Sequence, residues 1–267
     1  MSFTIIIPAR FASARLPGKP LADLGGAPLV VRVAQQAARV KRARVVVATD
    51  DARIAKIVAD AGIETLMTRA DHPTGTDRLA EAVNALGLPD HSIVVNVQGD
   101  EPFLAPALIE RVAEKLALHE DAAIATACHP LSSPAEARNP NIVKVVLDHL
   151  GYALYFSRAL IPFARDAIME NAVMENAAKD VILSTYPPEH PLYRHYGLYA
   201  YRVSFLRLFP ALPTAPIETV EKLEQLRALW HGYRIVVEIA GETPAPGIDT
   251  EEDLALARQL WAQTHGN

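Results

Sequence analysis

Two kinds of apolar run alternate along the chain. Short stretches rich in β-branched residues read as buried strands: residues 2–8 (SFTIIIP), 44–49 (RVVVAT), 63–68 (IETLMT), 92–97 (SIVVNV) and 122–127. Between them, apolar residues recur at helical spacing over residues 28–40, 52–62, 79–86 and 106–118. Pro28 and Pro106 suit a first helical turn, the pair Asp50-Asp51 offers a cap before the second helix, and Gly62 ends it. Thr76 or Asp77 is the expected cap of the helix that runs from Leu79. The order strand, helix, strand, helix, strand predicts parallel pairing with helices on the sheet faces.

The second half is less regular. Residues 142–148 and 152–157 read as two strands joined by the tight turn His149-Leu150-Gly151, a hairpin expected to leave the main layer as a lid or dimer arm. Residues 167–194 read as partly irregular, and 195–203 (HYGLYAYRV) alternates as a strand does. Residues 218–230 read as one helix with Glu218, Glu221 and Gln225 on a single face, a row whose usual meaning is solvation. A strand follows at 233–239. Thr250 with Asp253 forms a capping-box pattern at the start of a last helix over 254–263.

Composition narrows the class. The chain has 267 residues, 50% hydrophobic and 21% charged, which is ordinary for a soluble α/β protein of one large domain with a small lobe. A formal net charge of -5 argues against a nucleic-acid partner and makes any basic patch a local feature. The single cysteine, Cys128, excludes an intrachain disulfide and a cysteine metal site. No signal-peptide pattern precedes the first strand and no apolar run nears the ~18 residues of a membrane span, so a cytoplasmic protein without a membrane partner is expected. There is no G-x-S-x-G or H-E-x-x-H, which leaves hydrolase and zinc-enzyme readings without support.

Candidate chemistry begins directly after the first strand. In ARFASARLPGKPL, Arg10, Arg15 and Lys19 fall among small residues, with no acid before Asp23. Such a loop at the carboxyl end of a parallel strand can cradle phosphates on backbone N–H groups and neutralise them; the alternative is a surface loop with solvated charges. It is no Walker A motif, because Gly18-Lys19 is followed by Pro20. The fourth strand ends in Gln98-Gly99-Asp100-Glu101-Pro102, which suits a divalent cation facing phosphates. Asp100 is the expected metal ligand and Glu101 a cap for the next helix. Asp249 either ends its turn or supplies a second metal carboxylate.

These stretches carry a resemblance. The blocks PARFASARLPGKPL (8–21), TRADHPTGTDRLAEA (68–82), VNVQGDEP (95–102), NPNIVKVV (139–146), GYALYFSRALIPF (151–163), LEQLR (223–227) and GIDTEEDL (247–254) resemble, in order, the 3-deoxy-manno-octulosonate (Kdo) cytidylyltransferase family over nearly the whole chain. Sialic acid cytidylyltransferases share the general fold, but their first loop reads differently. The resemblance implies a Rossmann-like nucleotidyltransferase fold: α/β, with a mixed, mainly parallel sheet, helices on both faces, and a hairpin lobe at about 142–203 for sugar binding and dimerisation within one domain, 1–267. It further implies a homodimer that uses CTP, Kdo and magnesium, makes CMP-Kdo and pyrophosphate, and serves lipopolysaccharide biosynthesis.

By the same resemblance, Arg10, Ser13, Arg15 and Lys19 hold the triphosphate, and Lys19, Arg10 and Asp100 carry the chemistry. Thr76, Arg78 and the backbone at Pro8 and Ala9 face cytosine and ribose. Asp100 and Asp249 hold magnesium. Gln98, Arg165, His195, Tyr199, Glu221 and Gln225 surround the sugar acid, with Gln98 also near the nucleotide. The span after Arg165 is longer than the family pattern. The rival readings are a cytidylyltransferase for another sugar acid, a non-catalytic nucleotide-binding module, and a glycosyltransferase that uses a nucleotide sugar.

Overall fold

The computed structural model describes residues 2–12, 16–163, 165, 191–241 and 247–265. They group into two compact units. The first comprises Met1–Leu118, Leu198–Ala211 and Pro244–Asn267, and the second His119–Gly197 and Leu212–Thr243. The second unit thus includes the 142–157 hairpin expected of a lobe, together with further strands and helices.

Unit 1 contains β1 (Phe3–Ala9), the two-residue strands β2 (Asp23–Leu24) and β3 (Ala27–Pro28), then β4 (Ala43–Thr49), β5 (Glu64–Met67) and β6 (Ile93–Asn96). Unit 2 contains β7 (Ala122–Pro130), β8 (Lys144–Leu147), β9 (Ala153–Ser157) and β11 (Arg234–Ile239). Strand β10 (Tyr193–Arg202) starts in unit 2 and ends in unit 1.

In unit 1, β1 lies between β4 and β6, parallel to both, and β5 extends the sheet beyond β4 in the same direction. The second half of β10 closes the other side antiparallel to β6, with Tyr199 opposite Asn96. Ile5, Ile6 and Ile7 are fully buried, so β1 is covered on both faces and its sequence does not alternate. Parallel strands bring the loops after β1, β4, β5 and β6 to one edge of the sheet.

Helices α1 (Leu29–Ala37), α2 (Ala52–Asp60), α3 (Gly75–Ala85) and α4 (Pro106–Leu118) belong to the same unit. Asp51 caps α2 by accepting from Arg53 N at 2.9 Å. Helix α3 starts four residues earlier than its pattern predicts. Its cap is Thr74, neither Thr76 nor Asp77, because Asp77 closes a reciprocal box with Thr74 at 3.2 Å in each direction. Helix α4 begins at Pro106, so Glu101 lies in the preceding loop and is not its cap. The expected capping box of the last helix (Glu251–His265) is present, Asp253 N reaching Thr250 Oγ1 at 3.1 Å. That helix seats Trp261 on the β2–β3 turn, where a Cβ on Gly25 would fall 2.2 Å from the indole.

In unit 2, β7 pairs in parallel with β11, and β8 and β9 form the expected hairpin. Its turn is fixed by Asp148, whose carboxylate accepts from Leu150 N at 2.9 Å and Tyr152 N at 2.8 Å. β8 also pairs with Tyr193 and Arg194 of β10. The single helix expected at 218–230 is two short ones, Pro216–Glu221 and Gln225–Trp230, broken where Lys222 takes a left-handed conformation (φ 55°). Glu218 spans the break by accepting from Arg227 at 2.9 and 2.6 Å. Glu218 and Gln225 are each only 8% exposed, so the acidic row is not a solvated face. The segment read as irregular, 167–194, lies largely outside the described residues. Among the described residues, no helix is long and apolar enough to cross a membrane.

His195 of β10 has its Nε2 2.9 Å from Thr126 Oγ1. The Thr126 hydroxyl spends its proton on Tyr196 O at 3.2 Å, so the imidazole donates from Nε2. Phe156 meets the ring edge-on at 4.9 Å, and desolvation of the enclosed ring pushes its pKa down to about 3. A histidine of ordinary pKa in the unfolded chain takes up a proton that the folded one refuses. Stability therefore falls as pH drops from about 6.5 towards 3, by up to about 1.4 kcal/mol per pH unit from this group. We expect His195→Gln to flatten this part of the profile relative to the parent. Denaturant unfolding between pH 4.5 and 7.5 checks it, and parallel profiles would contradict the assignment.

Candidate active site

The carboxyl edge of the unit 1 sheet opens into a cleft of about 390 Å³ lined by Pro8, Ala9, Arg10, Ala12, Lys19, Pro20, Gly75, Gln98, Gly99, Asp100 and Asp249. Seven of the residues singled out in the sequence meet here: Pro8, Ala9, Arg10, Lys19, Gln98, Asp100 and Asp249. β1 delivers Pro8 and Ala9 and leads into Arg10, β6 leads into Gln98 and Asp100, and the turn before the last helix delivers Asp249.

Local geometry explains the convergence. Gly18 takes φ 70° and opens a 3-10 turn, Lys19–Leu21, that points Lys19 back to the sheet edge. A Cβ on Gly99 would sit 3.0 Å from Pro8 O, so glycine lets the loop after β6 lie against the end of β1 without crowding that carbonyl. Ile248 N donates to Asp100 O at 2.9 Å, which brings the 247–250 turn alongside. Asp249 N, like Thr250 N, donates to the Asp253 carboxylate at 3.0 and 2.9 Å, and this fixes the backbone from which the Asp249 side chain projects.

Lys19 Nζ bridges the two acids, 2.6 Å from Asp100 Oδ2 and 3.0 Å from Asp249 Oδ1. Desolvation lowers its pKa, but the charge and hydrogen bond of Asp100, followed by those of Asp249, outweigh it and hold the ammonium above its ordinary value. Arg10 Nη2 donates to His72 O at 3.1 Å and Thr74 O at 2.9 Å, anchoring one edge of its guanidinium on the loop that leads into α3.

Other expected residues stand elsewhere. Thr76 and Arg78 do not line the cleft. Arg78 is 0% exposed; it donates to Asp50 Oδ2 at 2.6 Å and to Thr68 Oγ1, and its Nε is buried without a partner. Its guanidinium ties the ends of β4 and β5 to α3. Ser13 and Arg15 lie outside the described residues. Tyr199 sits on β10 in unit 1 and stacks on Tyr201 with ring centroids 5.7 Å apart.

The remaining sugar-acid candidates belong to unit 2. The Glu221 carboxylate accepts from Ser157 Oγ at 2.6 Å and Arg158 N at 2.9 Å, while its carbonyl accepts from Arg158 Nε at 2.7 Å. Gln225 Nε2 is buried without a partner, and Arg165 is exposed. His195 is a neutral donor. Two residues that the sequence reading left unassigned complete this group. Arg158 holds Glu221 from the end of β9. The fully buried Lys144 donates to Asn139 O, Ile142 O and Arg158 O at 3.0, 2.7 and 2.6 Å. Burial lowers the Lys144 pKa, Glu221 opposes the shift and Arg158 adds to it. Their signal was position: both fall inside blocks that carry the resemblance.

A family model described as cytidylyltransferase matches residues 4–235. Among solved structures, a CMP:2-keto-3-deoxy-manno-octonic acid synthetase complexed with CTP is 38% identical, the match covering 99% of this chain and 100% of that chain at a TM-score of 0.86. Two more distant structures share the fold alone. One is a cytidylyltransferase from Leptospira borgpetersenii serovar Hardjo-bovis (14% identical, 97% of this chain, 85% of that chain, TM-score 0.59). The other is a protein assigned as a glucose-1-phosphate thymidylyltransferase from Bacillus anthracis (13% identical, 97% of this chain, 95% of that chain, TM-score 0.62). With a family model matched over most of its length, and with its cleft at the carboxyl edge of a mainly parallel sheet, the chain belongs to the cytidylyltransferase family.

Proposed function

We propose that the protein transfers CMP from CTP to the anomeric hydroxyl of Kdo and releases pyrophosphate. One observation carries this reading: the end-to-end likeness to a synthetase of that sugar acid, 38% identical over 99% of the chain. The cleft agrees with it chemically. Two cations and two carboxylates meet at the strand ends, where open α/β sheets bind nucleotides.

In the reaction, the Kdo hydroxyl oxygen forms a bond to the α-phosphorus of CTP. The bond from that phosphorus to the bridging oxygen breaks, its electron pair leaves with pyrophosphate, and the hydroxyl proton passes to solvent. Such a step needs alignment and charge neutralisation more than covalent help. Arg10 and Lys19 serve the triphosphate, with Ser13 and Arg15 assigned by resemblance to the same task. On the sugar-acid side, Glu221, Gln225 and Arg165 of unit 2 offer acceptor, amide and cation. His195, neutral at physiological pH, contributes a hydrogen bond and no charge. Gln98 and Tyr199 of unit 1 complete the assignment by resemblance.

Magnesium belongs to the same proposal. Asp100 and Asp249 already converge on one cation, the Lys19 ammonium, and magnesium is commonly held by one or two carboxylates with water and phosphate oxygens in the other positions. When bound there, the metal would neutralise phosphate charge and acidify the attacking hydroxyl. The homodimer, the cytoplasmic setting and the place in lipopolysaccharide biosynthesis rest on family likeness. For the dimer, the exposed Leu150, Leu154, Phe163 and Ile239 of unit 2 supply apolar surface.

Pyrophosphate release should require CTP, Kdo and a divalent metal together. Turnover with sialic acid in place of Kdo would keep the chemistry and change the substrate, and no turnover from a folded protein that binds CTP would leave a binding module.

Asp100→Ala should lower the rate about 10²-fold or more while circular dichroism and the melting temperature stay near the parent's. A variant with near-normal turnover would overturn the role of Asp100.

Lys19→Ala frees both carboxylates, so the nucleotide-free variant should bind Mn²⁺ more tightly than the parent in an electron paramagnetic resonance titration, while CTP binds more weakly. Equal Mn²⁺ affinity would show that Lys19 and the metal do not share these oxygens.

A further inference from the structure

The Arg10 guanidinium is aimed by two backbone carbonyls, His72 O and Thr74 O, 3.1 and 2.9 Å from Nη2. Nη2 spends its two hydrogens on them, so the N–H groups of Nε and Nη1 are the donors left to meet an anion. Both carbonyls sit in the loop between β5 and α3, a kind of segment that is mobile unless it is tied down.

Two carboxylates of α3, one turn apart on the same face, tie it down. Asp77 accepts from Thr74 N at 3.2 Å and Thr74 Oγ1 at 2.7 Å, which fixes the second carbonyl. Glu81 accepts from the His72 imidazole Nε2 and from Arg69 N at 3.0 Å, which fixes the first. The His72 side chain is 6% exposed and Glu81 30%, so this hydrogen bond is partly shielded from competing water. By contrast, the exposed Arg69–Asp71 pair of the same loop holds little.

Burial would raise the Glu81 pKa, but the hydrogen bonds from His72 and Arg69 N outweigh it, and the carboxyl stays below its ordinary range. The acceptor is thus ionised throughout the neutral range.

We propose that His72 and Glu81 are positioning residues for the nucleotide triphosphate: Glu81 holds His72, and His72 holds the carbonyl that aims Arg10. This rests on the reading of Arg10 as a phosphate ligand. Neither residue lines the cleft, so both act through the loop backbone. A displacement on the order of 1 Å in a charged ligand can cost about 10²-fold in rate, which makes such an indirect hold measurable.

A double-mutant cycle on CTP affinity tests it, by calorimetry on the parent, Glu81→Ala, Arg10→Ala and the double variant. We expect Glu81→Ala to weaken CTP about 5- to 20-fold, and the double variant to bind within about two-fold of Arg10→Ala alone. KM for CTP should rise in Glu81→Ala while KM for Kdo does not. If Glu81→Ala does not fold, His72→Asn takes its place in the same cycle. Losses that multiply in the double variant, or a Glu81→Ala affinity equal to the parent's, would overturn the proposal while leaving Arg10 as a ligand. An Arg10→Ala affinity equal to the parent's would overturn both the ligand reading and the proposal.

Discussion

Two carboxylates brought together at the edge of a sheet need a cation between them, and the cleft is organised by that need. Asp100 and Asp249 stand 81 and 230 residues from Lys19 in the chain, yet both reach its ammonium. Removing Lys19 leaves two carboxylates facing each other without a cation, whereas removing either acid leaves Lys19 paired with the other. Backbone features that carry no charge serve the same end. Gly18 turns Lys19 inward, Gly99 allows the close approach to Pro8 O, and Asp253 caps the turn that carries Asp249.

The same economy of charge recurs beneath the cleft and in the second unit. Strand ends leave backbone and polar groups that apolar packing cannot satisfy, and buried cations meet them. Arg78 ties Asp50 and Thr68 to α3, and Lys144 gathers three carbonyls around the end of the β8–β9 hairpin. These side chains are shielded from solvent, and what they fix is the loops they hold. Lys144 fixes the Arg158 carbonyl, and Arg158 in turn holds Glu221, one of the residues assigned to the sugar acid.

Most of unit 1 was legible in the sequence, because the βαβ order and the basic loop after β1 are local patterns with one good physical solution. Lys19, Asp100 and Asp249 could be nominated from residue type and position, but their meeting at one point is set by tertiary contacts that no spacing reveals. Arg78 shows the same limit: an arginine in a loop-to-helix motif looks the same whether it lines the cleft or, as here, reaches Asp50 and Thr68 away from the lining. The helix at 218–230 was misread because periodicity does not register a single left-handed residue such as Lys222, and the buried Glu218–Arg227 pair reaches across that break. Once the chain is broken there, Glu218 and Gln225 turn inward, and a row that looked solvated becomes partly enclosed.

The charges lining the cleft bear on how it receives its ligand. Lys19 and Arg10 oppose Asp100 and Asp249, so among the described lining residues two positive charges meet two negative ones. No histidine or cysteine stands among them, in keeping with a transfer that relies on alignment and electrostatics in place of a side-chain base. Under the proposed function, a divalent cation that takes over the two carboxylates would do two things at once. It would complete their neutralisation, and it would release the Lys19 ammonium, on its flexible four-carbon stem, towards the phosphates.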